Sequence, residues 1–408
     1  MAPIQEENRD ALFRQVPEVC PLRIAYLAVD VDIDLPRGSA THTIEVAMGL
    51  KKLGNDVRIF ARRGDMNQRG VDELEEIPIR RIYRGMVVPL SETHTTTTAS
   101  SGGTSFLKLL YAIYLRTIYA LYCTCRIILD LRDEKPDFIL ERGSCLGVGA
   151  LVSALLDKPM VLEVIDPNHS RISIRRAIGT LAYTRRVLKT DIPPDRLHLV
   201  EAAVSARLFL SDRSGRVEKE PDSFTVGYVG IFETWHGIET IVESARYIGD
   251  RPFVYLMVGP GYERIEGEID DDLVGMFHFT GGVKREDVPR MISAMDVALA
   301  PFLETGPGMG EKGYYFSPLK IFEYAACGKP IIASDLALIR RSMPYSLFVR
   351  PGDAQDLASA LVSVYEERVR ARRMGKRAQE LVKSVYSWER FSEDLLSVFD
   401  RWRGREGV

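Results

Sequence analysis

Residues 316–334 read FSPLKIFEYAACGKPIIAS, and this stretch decides the fold of the chain. Pro318 stands at a helix-starting position, and apolar residues then recur at helical spacing. A glycine and a proline end the helix, and IIAS reads as a buried parallel strand. A helix that leads straight into such a strand predicts an open α/β sheet. Lys320 and Glu323 share one helix face, at the edge where such sheets bind ligands.

Length and composition narrow the class of protein. A chain of 408 residues is too long for one ordinary core, so we expect two α/β domains. With 46% apolar residues and a net charge of −3, the chain resembles a soluble globular protein and does not favour nucleic-acid binding. The five cysteines form no C-x-x-C, which predicts a reduced cytosolic protein without a zinc site. No signal peptide and no bilayer-spanning run is expected.

The opening of the chain has a Rossmann-like pattern. Residues 23–29 predict a strand, residues 41–53 a helix and residues 56–61 a second strand. Gly38, in the loop between strand and helix, would let the backbone approach a phosphate at the helix N-terminus. A tight βα turn would need the same glycine, so this signal alone is weak.

The stretch around Lys320 and Glu323 resembles the nucleotide-sugar motif of retaining glycosyltransferases with the GT-B fold, family 4 (group 1), in the branch that reads S-P-L-K-x-x-E-Y. The resemblance implies an α/β fold of two Rossmann-like, doubly wound parallel-sheet domains facing across a cleft. It also implies that the helix glutamate holds the ribose hydroxyls and that the lysine lies near the diphosphate. An amphipathic helix with a surface ion pair is the plain alternative.

A second segment of the same family resemblance lies at residues 224–248, FTVGYVGIFETWHGIETIVESARYI. It is similar to the family's G-x-x-x-x-W-x-K/H-G motif, with Gly230 and His236 at the defining positions. The commonest family form has an arginine where this chain has Ile231 and a lysine where it has His236. It also has a glutamate where this chain has Tyr315. These departures weaken the case for catalysis unless Lys320 supplies the missing charge.

The resemblance assigns roles across both domains. His236 and Lys320 would neutralise the leaving diphosphate. The donor-binding residues would be Gly38, Gly230, Ser317, Pro318, Leu319, Glu323, Gly282 and Val283. Strands over residues 136–144 and 159–168 end in charged residues where the acceptor is expected. Arg142 and Glu163, at these strand ends, are therefore acceptor-side candidates. The resemblance adds His42, in the first turn of the first helix on the side that could face the interdomain cleft, because a family histidine near this position can approach the donor or acceptor. A capping histidine and salt-bridged strand ends remain alternatives.

No metal ion is predicted. The run DVDID at residues 30–34 has the D-x-D spacing that holds a divalent cation in another class of glycosyltransferase, but it follows the first strand directly instead of lying deep in the chain. We read it as a solvated acidic loop. The resemblance implies no cofactor, since the nucleoside-diphosphate sugar is a substrate.

The expected domains are residues 1–207, which would bind the acceptor, and residues 208–385, which would bind the nucleotide sugar. A helix over residues 386–408 would cross back to the first domain. A long apolar helix at residues 106–129, rich in tyrosine and with basic residues at positions 108, 116 and 126, is expected to be mostly buried. Peripheral membrane contact through this helix is the alternative.

The implied reaction moves a sugar from a nucleoside diphosphate to a hydroxyl of a glycan or lipid-linked acceptor, with retention of configuration. The expected location is the cytoplasm, with the inner face of the membrane as a second expectation. Two rival functions remain open. The chain could be a degenerate glycosyltransferase-like partner subunit, as Ile231 and Tyr315 suggest, or a GT-B nucleotide-sugar epimerase.

Overall fold

The structure is a computed structural model of the chain. It describes residues 21–34, 38–62, 73–74, 76–82, 106–143, 146–165, 169–188, 190–200, 203–210, 222–305 and 319–406. Two sheets dominate it, and the chain passes from the first to the second between residues 199 and 224.

The first sheet has eight strands in the order β3-β4-β2-β1-β5-β6-β7-β8. All neighbours pair in parallel except β3 and β4, which are antiparallel. Its strands are β1 (Arg23–Asp32), β2 (Asp56–Arg62), β3 (Glu73–Leu74), β4 (Ile77–Ile82), β5 (Phe138–Arg142), β6 (Met160–Val164), β7 (Gly179–Ala182) and β8 (Leu197–Leu199).

Strand β1 is longer than the sequence predicted. It continues through Asp32, which pairs with Arg62 of β2, and Val31 within this extension is buried. Asp34 then pairs with Arg81 at 2.7 Å, and Asp30 lies 4.0 Å from Arg142. The acidic run is therefore partly strand and partly ion-paired, and it is not the solvated loop that we expected.

Four helices of the first domain pack on its sheet, and a short one follows. They are α1 (Gly38–Lys52), α2 (Phe106–Leu131), α3 (Val148–Leu156), α4 (Arg171–Arg176) and α5 (Ala206–Phe209). Helix α1 shares a core with one sheet face, whereas α2, α3 and α4 share a core with the other. Burial on both faces explains the continuous apolar runs in β1, β5 and β6.

The second sheet has six parallel strands in the order β11-β10-β9-β12-β13-β14. They are β9 (Phe224–Val229), β10 (Phe253–Val258), β11 (Phe277–Gly281), β12 (Val297–Ala300), β13 (Ile331–Ser334) and β14 (Leu347–Val349). Its helices are α6 (Ile238–Ser244), α7 (Glu263–Glu266), α8 (Val288–Ala294), α9 (Leu319–Ala326), α10 (Ala337–Ser342), α11 (Ala354–Glu366) and α12 (Arg368–Val385).

The last helix, α13 (Trp388–Glu406), returns to the first domain. It crosses α1 closely enough that a Cβ on Gly49 would lie 2.4 Å from the Ser392 hydroxyl oxygen. Phe399 stacks on Phe138 of the first sheet, with ring centroids 4.6 Å apart. The first domain is thus covered by a helix that follows the whole second domain in sequence.

Helix α2 is more exposed than expected. One face is buried, through Ala120, Cys123 and Ile127. The opposite face exposes apolar and sulfur-containing side chains at helical spacing, namely Tyr114, Ile118, Leu121, Tyr122, Cys125 and Leu129. No helix among the described residues is both long and apolar enough to cross a membrane.

Candidate active site

Lys320 lies at the start of α9, and its ammonium group rests against aromatic rings. Its Nζ donates a hydrogen bond to the Tyr228 hydroxyl at 2.9 Å and lies 4.1 Å from the centroid of that ring. The Phe302 ring is 5.1 Å away. Lys320 makes no ion pair with any described carboxylate. Burial lowers its pKa well below the ordinary value, and the nearby charge of Glu323 offsets only part of this effect.

Glu323 lies one helical turn after Lys320 and is buried. Its Oε1 accepts a hydrogen bond of 3.0 Å from Nη1 of Arg285. Arg285 begins a short 3-10 turn, Arg285–Asp287, after strand β11. This partner could not be predicted from the sequence, because the two residues are 38 positions apart and belong to different βα units.

Glycine turns follow β9, β10 and β11, and the one after β9 lies next to the lysine. Gly230 and Gly259 have φ values of 145° and 144°, which favour glycine. A Cβ on Gly259 would lie 1.9 Å from the carbonyl oxygen of Gly230, and one on Gly230 would lie 2.7 Å from Nζ of Lys320. The Gly259 amide donates to the Gly281 carbonyl. The absence of side chains therefore lets these backbones stack beside a cation.

Gly38 lies opposite α9, on the first domain. A Cβ on Gly38 would lie 3.6 Å from Cδ1 of Leu319, so the first residues of α1 and α9 meet. The first amide groups of any α-helix have no partner within that helix, and its N-terminus has a partial positive charge. Together with Lys320 the two helix N-termini form a site suited to an anion. Ser317 and Pro318 lie outside the described residues.

Gly282 and Val283 follow strand β11 as the sequence suggested. Gly282 is exposed, and Val283 is half-buried against the main core. Only Lys284 separates them from Arg285, so this turn and Glu323 border the same part of the second domain.

His236 does not have the positive charge that we expected. Its Nδ1 lies 2.7 Å from the Ile231 carbonyl oxygen, which can only accept, so Nδ1 has the proton. The ring is buried edge-on against Trp235 and Phe302. Burial and then the charge of Lys320 lower its pKa to about 2, against a weaker opposing effect of the carbonyl. Of the two expected cations only Lys320 remains a source of charge.

His42 and Glu163 come together, but beneath α13 and not on an open surface. His42 Nε2 lies 3.3 Å from Oε1 of Glu163, and its Nδ1 lies 3.0 Å from the Tyr183 hydroxyl. Tyr26 donates to Oε2 of Glu163 at 2.7 Å. With a proton on Nε2, His42 can donate to Glu163 while its Nδ1 accepts from the Tyr183 hydroxyl. The two tyrosines gave no signal in the sequence, because both occur in apolar strand contexts.

Trp388 and Phe391 of α13 pack edge-on against His42, with centroids 5.1 and 5.5 Å away. His42 is 3% exposed and Glu163 is 2% exposed. The expectation that His42 faces the interdomain cleft is therefore not met, because a helix from the distant end of the chain covers it. A small recess beside the pair is lined by both residues, Tyr183 and Phe391.

Arg142 is also buried, and it lies near Asp30 at the switch point between β1 and β5. The preceding residue, Glu141, points to the opposite sheet face and accepts a hydrogen bond from the Gly149 amide at 2.9 Å, in the first turn of α3. Burial raises the pKa of Glu141 to about 7, although the Gly149 amide and Ser173 oppose the shift.

Among the described residues no group of three His, Cys, Asp or Glu side chains could hold a metal ion.

Comparison with known proteins places these elements in context. Residues 223–367 match the family model described as "Glycosyl transferases group 1". Among curated proteins, the MMP alpha-(1->4)-mannosyltransferase of Mycolicibacterium hassiacum is 22% identical, over 89% of this chain and 94% of the relative. A GDP-mannose-dependent phosphatidylinositol monomannoside mannosyltransferase of Corynebacterium glutamicum is 25% identical over 40% of this chain and 43% of its own.

Solved structures agree on the architecture. Sucrose-phosphate synthase from Thermosynechococcus elongatus superimposes with a TM-score of 0.70 at 19% identity, over 94% of this chain and all of that one. Anabaena HepE in complex with UDP-glucose gives a TM-score of 0.64 at 14% identity, over 93% and 100% of the two chains. The prediction of two Rossmann-like domains is confirmed. The chain has the GT-B fold, and its residues 223–367 are similar to the group 1 glycosyl transferase model.

Proposed function

We propose that this protein is a retaining, metal-independent glycosyltransferase that moves a sugar from a nucleoside-diphosphate sugar to a hydroxyl of a glycan or lipid-linked acceptor. The observation that carries the proposal is Lys320: a basic side chain, without a carboxylate partner among the described residues, where the N-termini of α1 and α9 meet. A diphosphate would supply the counter-charge that this site lacks.

The roles follow from this placement. Lys320, the two helix N-termini and the backbone at Gly230 would bind the diphosphate and stabilise it as it leaves. Glu323 would accept hydrogen bonds from the ribose hydroxyls, and the Gly282–Val283 turn would lie by the base. Neutral His236 would orient Tyr228 and Ile231 beside the lysine and would not itself neutralise charge. The leaving phosphate would take the acceptor proton, so no side-chain base is assigned, and neither is a metal ion.

Acceptor binding is proposed for the first domain, on the side where β5 and β6 end. Arg142 and Glu163 lie too deep to touch an acceptor directly in this arrangement. With His42 they would instead support the floor of that site. The relative from Corynebacterium glutamicum is named for a lipid acceptor, which supports keeping lipid-linked acceptors within the proposal.

Thermal stabilisation by nucleotides tests the donor site. We expect one of UDP, GDP or ADP, or its sugar conjugates, to raise the melting temperature, because a ligand at a hundred times its Kd adds about 2.7 kcal/mol to the free energy of unfolding. Glu323→Ala and Lys320→Ala should abolish the rise, whereas Glu268→Ala, an exposed carboxylate in the same domain, should leave it intact. No stabilisation by any nucleotide would overturn the donor-site assignment.

A degenerate partner subunit is the second candidate, and the neutral state of His236 favours it. Both proteins would bind nucleotide, so binding cannot separate them. Incubation with the stabilising nucleotide sugar and a panel of glycan and lipid acceptors would do so, by product mass and anomeric configuration. Transfer with retention supports the enzyme, and binding without turnover supports the partner subunit. Conversion of the donor sugar with no acceptor present would point instead to an epimerase.

We also propose a cytoplasmic protein that contacts an anionic lipid surface through the exposed face of α2. The apolar stripe from Tyr114 to Leu129 would enter the headgroup region, and Arg126 at its border would meet lipid phosphates. Sedimentation with phosphatidylglycerol vesicles should recover the wild type, and Leu121→Glu with Tyr122→Glu should not be recovered. Equal recovery of both proteins, or none of either, would overturn the contact.

A further inference from the structure

Arg285 is held by two different parts of the second half of the chain. On one side its Nη1 donates to Oε1 of Glu323 at 3.0 Å. On the other side its guanidinium carbon lies 5.4 Å from the centroid of the Phe209 ring, which is buried in the short helix α5. A planar guanidinium fixed by a carboxylate and an aromatic face retains few rotamers.

The hydrogen bond from Arg285 occupies only one of the two carboxylate oxygens of Glu323. Oε1 is bound by the arginine, and no hydrogen bond to Oε2 is formed within the part of the chain that the structure describes. A carboxylate has about four acceptor positions, so Oε2 and the remaining lone pair of Oε1 can each receive a hydroxyl. The 2′ and 3′ hydroxyls of a ribose are two adjacent donors of this kind.

We propose that Arg285 is the positioning residue for ribose recognition: it fixes the Glu323 carboxylate so that its open edge faces the ribose hydroxyls. This inference rests on the proposed donor site. It assigns to the arginine no contact with the diphosphate or the base. Loss of the arginine should therefore weaken binding only as far as the hydroxyls contribute to it.

The ribose contribution can be measured separately from the rest of the nucleotide. We would determine Kd by calorimetry for UDP, GDP and ADP and for their 2′,3′-dideoxy counterparts. Hydrogen bonds to a charged group predict that wild type prefers the ribonucleotide about ten- to hundredfold. In Arg285→Met, which keeps an unbranched side chain against Phe209, this preference should fall to about threefold or less, with the dideoxy Kd changed less than about twofold.

Two further variants show whether the arginine acts through Glu323. Arg285→Lys should restore part of the preference, because its ammonium can still donate to Oε1. In a Glu323→Ala background, Arg285→Met should cause no additional loss, since the effect requires the carboxylate. Arg290→Met changes an exposed arginine of α8 in the same way and should bind like wild type.

Several results would overturn the proposal. An equal loss of ribonucleotide and dideoxynucleotide affinity in Arg285→Met would assign the arginine to the base or diphosphate, and an undiminished preference would leave it no role. If the wild type bound no nucleotide, the proposed function itself would fail. If it bound nucleotides and Glu323→Ala lost the ribose preference while Arg285→Met kept it, only the present inference would fail.

Discussion

At the scale of single residues, two buried ionisable groups have pKa values displaced in ways that oppose their charge. Lys320 and Glu141 lie in different domains, and burial is the main cause in both. The lowered pKa of Lys320 indicates a site suited to an anion, because a bound diphosphate would raise that pKa again. Glu141 accepts a hydrogen bond in the first turn of α3 and has no such ligand, so the free-energy cost of burying its charge lowers the stability of the folded protein.

Donor binding should take up a proton at Lys320. The free protein has a lowered lysine pKa, and a bound diphosphate would raise it. Between these two pKa values the complex holds more protons than the free protein, so affinity should rise as pH falls, by at most about tenfold per pH unit. Calorimetry at pH 8 in buffers of different ionisation enthalpy would measure the uptake.

Lys320→Arg provides the control, because its guanidinium stays charged throughout and should bind without uptake. Equal uptake in both proteins would show that the proton goes elsewhere.

Glu141→Gln should stabilise the protein at alkaline pH. The folded-state pKa of about 7 lies above the ordinary 4.5, so the folded state favours the neutral acid. Both states are protonated below about pH 4.5; the penalty grows up to pH 7 and is constant above it. At pH 8 the penalty is roughly 3 kcal/mol, and the amide would remove most of it.

Urea unfolding at pH 5 and pH 8 would measure this effect. The stability gained by the variant should be larger at pH 8, whereas Glu268→Gln, an exposed control, should gain nothing at either pH. A gain that does not depend on pH would contradict the assignment.

At the scale of helices and strands, features that depend on neighbouring residues could be predicted from the sequence, and features that depend on contacts between distant residues could not. The α9–β13 unit was readable because its helical period, glycine and proline lie within one stretch. The depth of His42 was not, because it depends on Trp388 and Phe391, about 350 residues later in the chain. Arg285 could not be predicted as the partner of Glu323 for the same reason. Strand β1 is longer than predicted because the buried residues continue beyond the apolar run.

The crossing of α1 and α13 should tolerate no side chain at Gly49. In Gly49→Ala the new methyl group would lie 2.4 Å from the hydroxyl oxygen of Ser392 and 2.7 Å from the carbonyl oxygen of Trp388. Because a backbone atom cannot rotate away, the helices must separate, which should cost about 1–3 kcal/mol. Gly267→Ala, with no atom within 4 Å of the new methyl, should be nearly neutral. Chemical denaturation of both variants would check this, and equal stabilities would show that the crossing is looser than described.

At the scale of the whole molecule, α1 connects the two halves of the chain. Its N-terminal end contacts α9 of the second domain, while its C-terminal half packs against α13. Motion of one domain relative to the other would therefore act on both ends of one helix. This arrangement suits an enzyme whose cleft closes around the donor.

Removal of residues 388–408 should disrupt the first domain more than the second. The truncation would expose the surfaces under Trp388, Leu395 and Phe399, all buried in the full chain, at a cost on the order of 5 kcal/mol or more. We expect increased binding of a hydrophobic dye and loss of a single cooperative transition. Removal of residues 404–408 alone, which begin at an exposed glycine, should have little effect. A truncated chain with full stability would contradict this role of α13.

The position of α13 also has a consequence for how the protein is made. The first sheet leaves the ribosome early, yet the helix that covers one of its faces is translated only after all six strands of the second sheet. Until then the apolar surface around Phe138 and His42 is open to other chains. The core of the first domain therefore cannot be completed until the second domain has been translated. A chaperone that shields this surface during synthesis would raise the fraction of the protein that reaches its native state.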